Sequence, residues 1–229
     1  MKRAAGARSG AAISAVLFDM DGVLVDSEAF IAEAAIAMLA ERYGVVATRE
    51  DFLPFVGMGE NRFIGGVAEK YGAKLDIEAD KARTYELYFE VIRGRLREIP
   101  GAVAFVRACR ERGLKIAIAT SADRRKLEAN LAEVGLAESD FDAAIDGLQV
   151  ERKKPEPDIY LEAARRVGVK PGRCLVVEDA VSGVKAAKAA GMTCLALAGS
   201  FPESALRGAG ADFFAADLAA AEIRAIFGD

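Results

Sequence analysis

Four segments of the chain share one pattern, in which a helical arrangement of apolar residues ends at a glycine and a short apolar run follows within a few residues. In chain order they are VRACRERG before LKIAIAT, LEANLAEVG, EAARRVG before CLVVED, and VKAAKAAG before TCLALAG. A glycine just past a helix is the usual left-handed cap, and short unbroken apolar runs are typical of parallel strands buried on both faces. The pattern predicts an α/β domain with a doubly wound, Rossmann-like parallel sheet.

Residues 28–98 follow a different pattern, because apolar residues recur there at helical spacing and strand signals are nearly absent. We expect a helical insertion in this range, which divides the chain into a core domain of residues 1–27 and 99–229 and an inserted domain of residues 28–98. Asp26 and Ser27 predict a turn and the N-cap of the first inserted helix. The stretch PFVGMGENRFIGG contains four glycines and predicts a loop or a loosely capped helix start.

The composition and charge limit the classes of protein to which the chain can belong. A chain of 229 residues, 52% hydrophobic and 29% charged, can bury a sizeable core. Its net charge of -4 argues against a nucleic-acid partner, and no apolar run approaches the roughly 18 to 20 residues that span a membrane. Cys109, Cys174 and Cys194 lie in apolar segments, which indicates reduced core residues. We expect a cytoplasmic protein, or one of the chloroplast stroma if the basic opening MKRAAGARSGAAIS is a transit remnant.

Polar side chains follow three of the predicted strands, and one lysine lies in the loop segment KKPEPDIY. In open parallel sheets, ligands bind beyond the carboxyl ends of the strands, so we expect these side chains to lie together. They are Asp19 and Asp21 after AVLF, Thr120 and Ser121 after LKIAIA, Glu178 and Asp179 after CLVV, and Lys154.

Four carboxylates in one place predict a bound cation. Two like unit charges about 4 Å apart repel by roughly 4 kcal/mol at an effective dielectric constant near 20. Carboxylate oxygens favour a hard divalent ion, and magnesium commonly shares its site with a phosphate. The chain contains no histidine, which argues against the usual zinc sites. We therefore expect Mg²⁺.

A phosphate group fits the remaining parts of the cluster. Thr120, the amides after it and Lys154 can hold phosphate oxygens, while Asp19 can attack phosphorus and form an aspartyl-phosphate. Asp21 can then act as general acid for the leaving oxygen and as base for water. Each residue alone also has a structural explanation, such as a helix cap or a solvated charge, and the joint order of the four segments favours the chemical one.

The segments DMDGVLVDS, IATS, KPEPDIY and VVEDAVSG occur in this order and resemble the four motifs of the haloacid dehalogenase superfamily of phosphohydrolases. The resemblance runs from Ala15 to about Ala198 and is to the subgroup with a helical cap domain after the first motif. It implies a nucleophile at Asp19, an acid and base at Asp21, a phosphate-holding hydroxyl at Thr120, a phosphate-stabilising lysine at Lys154, and magnesium ligands at Glu178, Asp179, the Asp19 carboxylate and the Asp21 main-chain carbonyl.

Within this superfamily the chain is similar to phosphoglycolate-phosphatase-like and β-phosphoglucomutase-like members. The mutases use a histidine near the cap hinge, and the corresponding residue here is Ile31, which favours a phosphatase. The expected function is removal of phosphate from a small phosphorylated metabolite, with Mg²⁺ and an aspartyl-phosphate intermediate. A β-phosphoglucomutase-like phosphotransferase and a phospho-accepting, receiver-like module stay open as alternatives.

The resemblance also implies that the helical insertion closes over the site and contacts the leaving group of the substrate. The residues expected to bind substrate are Ser121 of the core and Gly57, Gly59, Glu60 and Arg62 of the glycine-rich stretch. The identity of the phosphorylated substrate and the oligomeric state do not follow from the sequence.

Overall fold

A computed structural model describes residues 12–56, 58–199 and 201–228. Within these residues six strands form one sheet in the order β3-β2-β1-β4-β5-β6, and every neighbouring pair is parallel. This confirms the predicted α/β fold with a parallel sheet. The strands are β1 (Ala15–Phe18), β2 (Lys115–Ala119), β3 (Ala143–Ile145), β4 (Cys174–Glu178), β5 (Thr193–Leu197) and β6 (Phe213–Ala215).

Helices cover both faces of the sheet. Val16 and Phe18 of β1 face one apolar layer, whereas Ala15 and Leu17 face the other, because successive side chains of a strand point to opposite faces. The first layer includes α4 (Ala102–Glu111), α5 (Arg124–Glu133) and the short α9 (Ile223–Phe227). The second includes α6 (Asp158–Val167), α7 (Val181–Ala189) and α8 (Glu203–Gly208).

The predicted glycine caps have the backbone conformation that the pattern requires. Gly113 and Gly168 follow α4 and α6, and each has a φ of 71°, in the left-handed region that L side chains rarely adopt. Each glycine therefore ends its helix and turns the chain toward the next strand of the sheet.

The helical insertion lies between β1 and β2 and consists of α1 (Glu28–Tyr43), a 3₁₀ segment (Arg49–Phe55), α2 (Glu60–Lys70) and α3 (Ile77–Ile92). The glycine-rich stretch is a loop only in part, since α2 begins at Glu60 and includes two glycines. Gly66 is needed there because a Cβ atom would lie 2.3 Å from a carbon of the Phe55 ring. The domain boundaries at residues 28 and 98 stay a prediction.

In the described part of the chain, no helix is long and apolar enough to cross a membrane. Cys109, Cys174 and Cys194 are buried and carry free thiols, and burial raises the pKa of the Cys109 thiol to about 12. These cysteines are therefore core residues of the fold.

Candidate active site

The predicted site residues meet at the carboxyl ends of the three central strands. β1 lies between β2 and β4 at the point where the order of strands reverses, which is where ligands bind in open α/β sheets. Phe18 pairs with Ile118 of β2 and with Val177 of β4. Asp19 therefore leaves the sheet at the same level as Glu178 at the end of β4.

Three of the carboxylates form a buried cluster. Asp19, Glu178 and Asp179 each offer an oxygen, and these oxygens lie within 4.8 Å of one another. Burial raises the pKa of Asp19 to about 7, although the Lys154 ammonium opposes the shift. Burial and the neighbouring Glu178 charge also raise the pKa of Asp179 well above its ordinary value. The cluster thus holds more negative charge than its surroundings stabilise.

Glu178 is held rigidly by donors from several segments. Lys154 Nζ lies 2.7 Å from Glu178 Oε1 and 2.9 Å from Asp19 Oδ1. The Tyr160 hydroxyl donates to Glu178 Oε1 at 2.8 Å. The amides of Asp179 and Ala180 donate to Glu178 Oε2 at 2.9 and 2.8 Å. Lys154 is therefore a buried partner of two acids, whereas Lys153 donates to backbone carbonyls, one of them Val150 O at 2.8 Å.

Two glycines leave room for the acidic side chains. A Cβ atom on Gly183 of α7 would lie 1.6 Å from Glu178 Oε1. A Cβ atom on Gly22 would lie 2.1 Å from Asp179 Oδ2, and Gly22 has a φ of 74°. Because the donor set is made of hard carboxylate oxygens with uncompensated charge, it fits a hard divalent cation such as Mg²⁺. Asp19, Glu178 and Asp179 are the side chains that would hold it.

Asp21 has a separate set of partners. Its carboxylate accepts hydrogen bonds from the Ser27 hydroxyl, from Lys126 Nζ at 2.8 Å and from Asn130 Nδ2 at 3.4 Å. Ser27 stands at the N-cap position of α1 as predicted, but its hydroxyl does not cap the helix and bonds Asp21 instead. The side chain of Asp21 is thereby turned toward α5, and its role as a metal ligand through the main-chain carbonyl stays a prediction.

Thr120 and Ser121 lie where β2 ends and line the same cavity as the acids. Thr120 is buried, and its hydroxyl oxygen accepts a hydrogen bond from the Ala122 amide at 3.0 Å. The bond fixes the turn after β2. The hydroxyl proton of Thr120 can then point elsewhere, because a hydroxyl donates and accepts at once.

The helical insertion forms the opposite wall of a cavity of about 80 Å³. Gly59 and Glu60, at the start of α2, line it together with Ile31 and Phe63. Burial raises the pKa of Glu60, and Glu60 Oε1 lies 3.4 Å from Lys126 Nζ.

The structure does not bring every predicted substrate-binding residue to this wall. Arg62 is half exposed, pairs with Glu69 at 2.8 Å and lies over the Phe55 ring at 5.0 Å, outside the cavity lining. Gly57 lies outside the described residues. The substrate-binding assignments of both residues stay predictions.

Sequence reasoning gave no role to several polar residues that hold the acids. Lys126 and Asn130 both contact Asp21, and Tyr160 contacts Glu178. Lys126 and Asn130 are four residues apart on α5 and so share one helix face, which is the one local signal that could have indicated them. Tyr160 belongs to the segment KPEPDIY, but its partner lies on another strand.

Comparison with known proteins identifies relatives along most of the chain. The haloacid dehalogenase-like hydrolase family matches residues 13–191. The Arabidopsis thaliana protein SUPPRESSOR OF QUENCHING 1, chloroplastic, is 44% identical over 90% of this chain, but the chain spans only 20% of that protein's length. A phosphorylated carbohydrates phosphatase of Thermotoga maritima is 36% identical over 79% of this chain and 82% of its own length. The crystal structure of CbbY from Rhodobacter sphaeroides in complex with phosphate has a TM-score of 0.81 at 27% identity and covers 90% of this chain and 95% of its own.

Proposed function

The chain belongs to the haloacid dehalogenase-like hydrolase family and is a phosphatase, and we propose that it removes phosphate from a small phosphorylated metabolite through an aspartyl-phosphate on Asp19. One observation carries the proposal. Asp19 lies buried at the end of β1, 2.9 Å from the Lys154 ammonium, in a cavity that Asp21 and Thr120 also line. A nucleophile, a proton carrier and phosphate-binding groups thus face one space.

The reaction proceeds in two displacements. An oxygen of the Asp19 carboxylate forms a bond to phosphorus, and the bond from phosphorus to the leaving oxygen breaks as Asp21 donates a proton to that oxygen. Water then attacks phosphorus and gives its proton to Asp21, so that phosphate leaves and the Asp19 carboxylate is restored. Lys154, the Thr120 hydroxyl and the amides after it bind the phosphoryl oxygens throughout.

Three carboxylates would hold Mg²⁺, namely Asp19, Glu178 and Asp179, with the Asp21 carbonyl as a further ligand. When bound, the dication neutralises the clustered acids and the charge of the phosphoryl group. The proposal of magnesium is supported by the hard oxygen donors, by the glycines that make room for them, and by the absence of histidine from the chain.

The helical insertion would act as a cap of residues 28–98 that excludes water from the cavity. Gly59, Glu60 and Ser121 are the lining residues that we assign to the substrate. Arg62 would join them only if its side chain leaves Glu69 and turns toward the cavity, and Gly57 is kept as a predicted substrate-binding residue. Ile31 lines the cavity at the position where the mutase-like members carry histidine, which supports hydrolysis over transfer to a second hydroxyl.

The names of two relatives add a substrate class and a location to the proposal. The Thermotoga maritima relative is named as a phosphatase of phosphorylated carbohydrates, which makes a sugar phosphate the substrate class to propose first. The Arabidopsis relative is named as chloroplastic, which supports a chloroplast location, with the cytoplasm as the alternative.

Turnover of p-nitrophenyl phosphate with Mg²⁺ tests the function. We expect steady release of p-nitrophenolate, its loss in EDTA, and its loss in Asp19→Asn, because removing a catalytic nucleophile costs far more than about tenfold in rate. Asp26→Asn is the matched control, since Asp26 is an exposed residue of the same loop and should leave turnover unchanged.

Other results would contradict a part of the proposal or favour one of the alternative functions. Residual activity above about a tenth in Asp19→Asn, where a nucleophile should be worth much more, would contradict the nucleophile assignment. Full activity in EDTA would contradict the proposal that turnover requires Mg²⁺. A long-lived phosphoprotein without turnover would indicate the receiver-like module, and transfer to a second hydroxyl would indicate the phosphotransferase.

A further inference from the structure

Lys126 is a buried lysine whose position packing alone does not explain. It is the third residue of α5, and only 3% of it is exposed. Lysine is almost never fully buried unless it is paired, because removing an ammonium from water is costly. Its Nζ lies 2.8 Å from Asp21 Oδ2 and 3.4 Å from Glu60 Oε1. The site therefore uses this lysine to join two carboxylates from distant segments.

Three side chains among the described residues donate hydrogen bonds to Asp21, and Lys126 is the charged one. The Ser27 hydroxyl and the Asn130 amide, the latter at 3.4 Å, are neutral. All three hydrogen bonds gain from the charge of the carboxylate, and of the three donors only the ammonium adds an opposite full charge, so it contributes most to the orientation of the carboxylate. With 30% of its side chain exposed, Asp21 has room for other orientations once that bond is lost.

Lys126 also contacts the helical insertion, because Glu60 is the first residue of α2. The same helix α5 receives other contacts from the insertion. Lys81 Nζ of α3 lies 3.0 Å from Asp123 Oδ2, and the Tyr88 hydroxyl donates to Asn130 Oδ1 at 2.6 Å. Helix α5 and its N-cap residue are thus a part of the core that the insertion contacts. Lys126 of this helix contacts both the insertion, through Glu60, and Asp21.

We propose that Lys126 is a positioning residue, which holds the Asp21 carboxylate toward the leaving oxygen of the substrate and, through Glu60, ties that orientation to the seated position of the helical insertion. The proposal rests on the proposed function, in which Asp21 transfers the protons. When α2 lies against α5 as it does here, Glu60 shares the ammonium with Asp21 and so helps to fix Lys126. When α2 moves away, Lys126 and Asp21 are left without this support.

The choice of substrate separates positioning from a general effect on the fold. An alkyl phosphomonoester such as glycerol phosphate needs a proton on its leaving oxygen, whereas p-nitrophenolate leaves without one. The parameter kcat/KM reports the steps up to formation of the aspartyl-phosphate. A loss of Asp21 orientation should therefore lower kcat/KM for the alkyl ester much more than for the aryl ester.

The experiment compares Lys126→Met with Lys81→Met in the full chain. Lys81 is also buried and also pairs the insertion with α5, but its partner is Asp123. We expect Lys126→Met to lower kcat/KM for glycerol phosphate by at least about tenfold relative to p-nitrophenyl phosphate, which is a part of the 10²- to 10⁴-fold that a general acid contributes in full. Lys81→Met should change both substrates by the same factor, and Lys126→Arg should restore part of the lost ratio.

An unchanged ratio of the two kcat/KM values in a folded Lys126→Met would overturn the inference, as would the same ratio change in Lys81→Met. If thermal melting shows that Lys126→Met does not fold, Lys126→Gln and Glu60→Gln are judged by the same ratio. Wild-type protein that hydrolyses neither ester would refute the proposed function, and the inference with it. Wild-type turnover that depends on Asp19, with an unchanged ratio in the Lys126 variants, would refute the inference alone.

Discussion

Replacing Lys154 with methionine removes a positive charge that lies between two buried carboxylates. Lys154 Nζ contacts Asp19 Oδ1 and Glu178 Oε1 at 2.9 and 2.7 Å, and only 3% of the lysine side chain is exposed. Methionine has a similar length and no charge. The substitution therefore leaves the volume of the site nearly unchanged and takes away the group that balances the two acids.

The expected loss of stability follows from the burial of the acids. Glu178 is fully buried and 12% of the Asp19 side chain is exposed, so water replaces little of the lost interaction. Breaking a buried ion pair by removing one partner typically costs about 3 to 5 kcal/mol. Glu178 keeps the Tyr160 hydroxyl and two amides as donors. We therefore expect Lys154→Met to lower the free energy of unfolding by about 3 kcal/mol, at the lower end of that range.

Urea unfolding in EDTA at neutral pH measures this loss, with Lys153→Met as the matched control. Lys153 is the adjacent lysine, is exposed and donates to backbone carbonyls, so its replacement should cost no more than about 1 kcal/mol. In Mg²⁺ the gap between Lys154→Met and wild type should narrow, because the dication supplies positive charge to the same acids. Equal free energies of unfolding for wild type and Lys154→Met in EDTA would show that Lys154 does not stabilise the two buried acids.

The remaining predictions concern the same acids. Gly183→Ala should weaken Mg²⁺ binding in calorimetry and lower turnover, because its Cβ would lie 1.6 Å from Glu178 Oε1, whereas Gly65→Ala, where a Cβ meets nothing within 4 Å, should leave both unchanged. In metal-free protein the pKa of Asp19 is about 7 in the folded state, against 3.8 ordinarily, so the folded state binds the extra proton. The free energy of unfolding should therefore fall as pH rises from about 4 to 7, and Asp19→Asn should remove that part of the slope. An Asp19→Asn protein with an unchanged slope would contradict the pKa assignment.

The core of the sheet could be predicted because β1, β2, β4 and β5 are nearly continuous apolar runs, and polar residues stand at the carboxyl ends of the first three. Parallel strands place their carboxyl ends at one edge, so the meeting of the acids followed from the strands alone. The strands β3 and β6 were not predicted. Each has only three residues and lies at an edge of the sheet, where a short run carries little pattern.

Site residues that stand at strand ends, such as Asp19 and Glu178, could be predicted. Contacts that depend on how the helices pack on the sheet could not. Tyr160 reaches Glu178 from α6, and Lys126 reaches Asp21 from α5. Neither pair has a fixed spacing in the sequence, because the packing of helices on the sheet brings the partners together. The Ser27 hydroxyl was predicted to cap α1, and the neighbouring Asp21 carboxylate competes for it with the advantage of full charge.

The capture of the phosphoryl group by Asp19 is tested most directly by mass spectrometry of acid-quenched enzyme during turnover of p-nitrophenyl phosphate with Mg²⁺. We expect the peptide containing Asp19 to carry the mass of one phosphoryl group in the wild-type protein and in Asp26→Asn, and to lack it in Asp19→Asn. Turnover by the wild-type protein with the phosphoryl group on another residue, together with an active Asp19→Asn, would show that Asp19 is not the nucleophile.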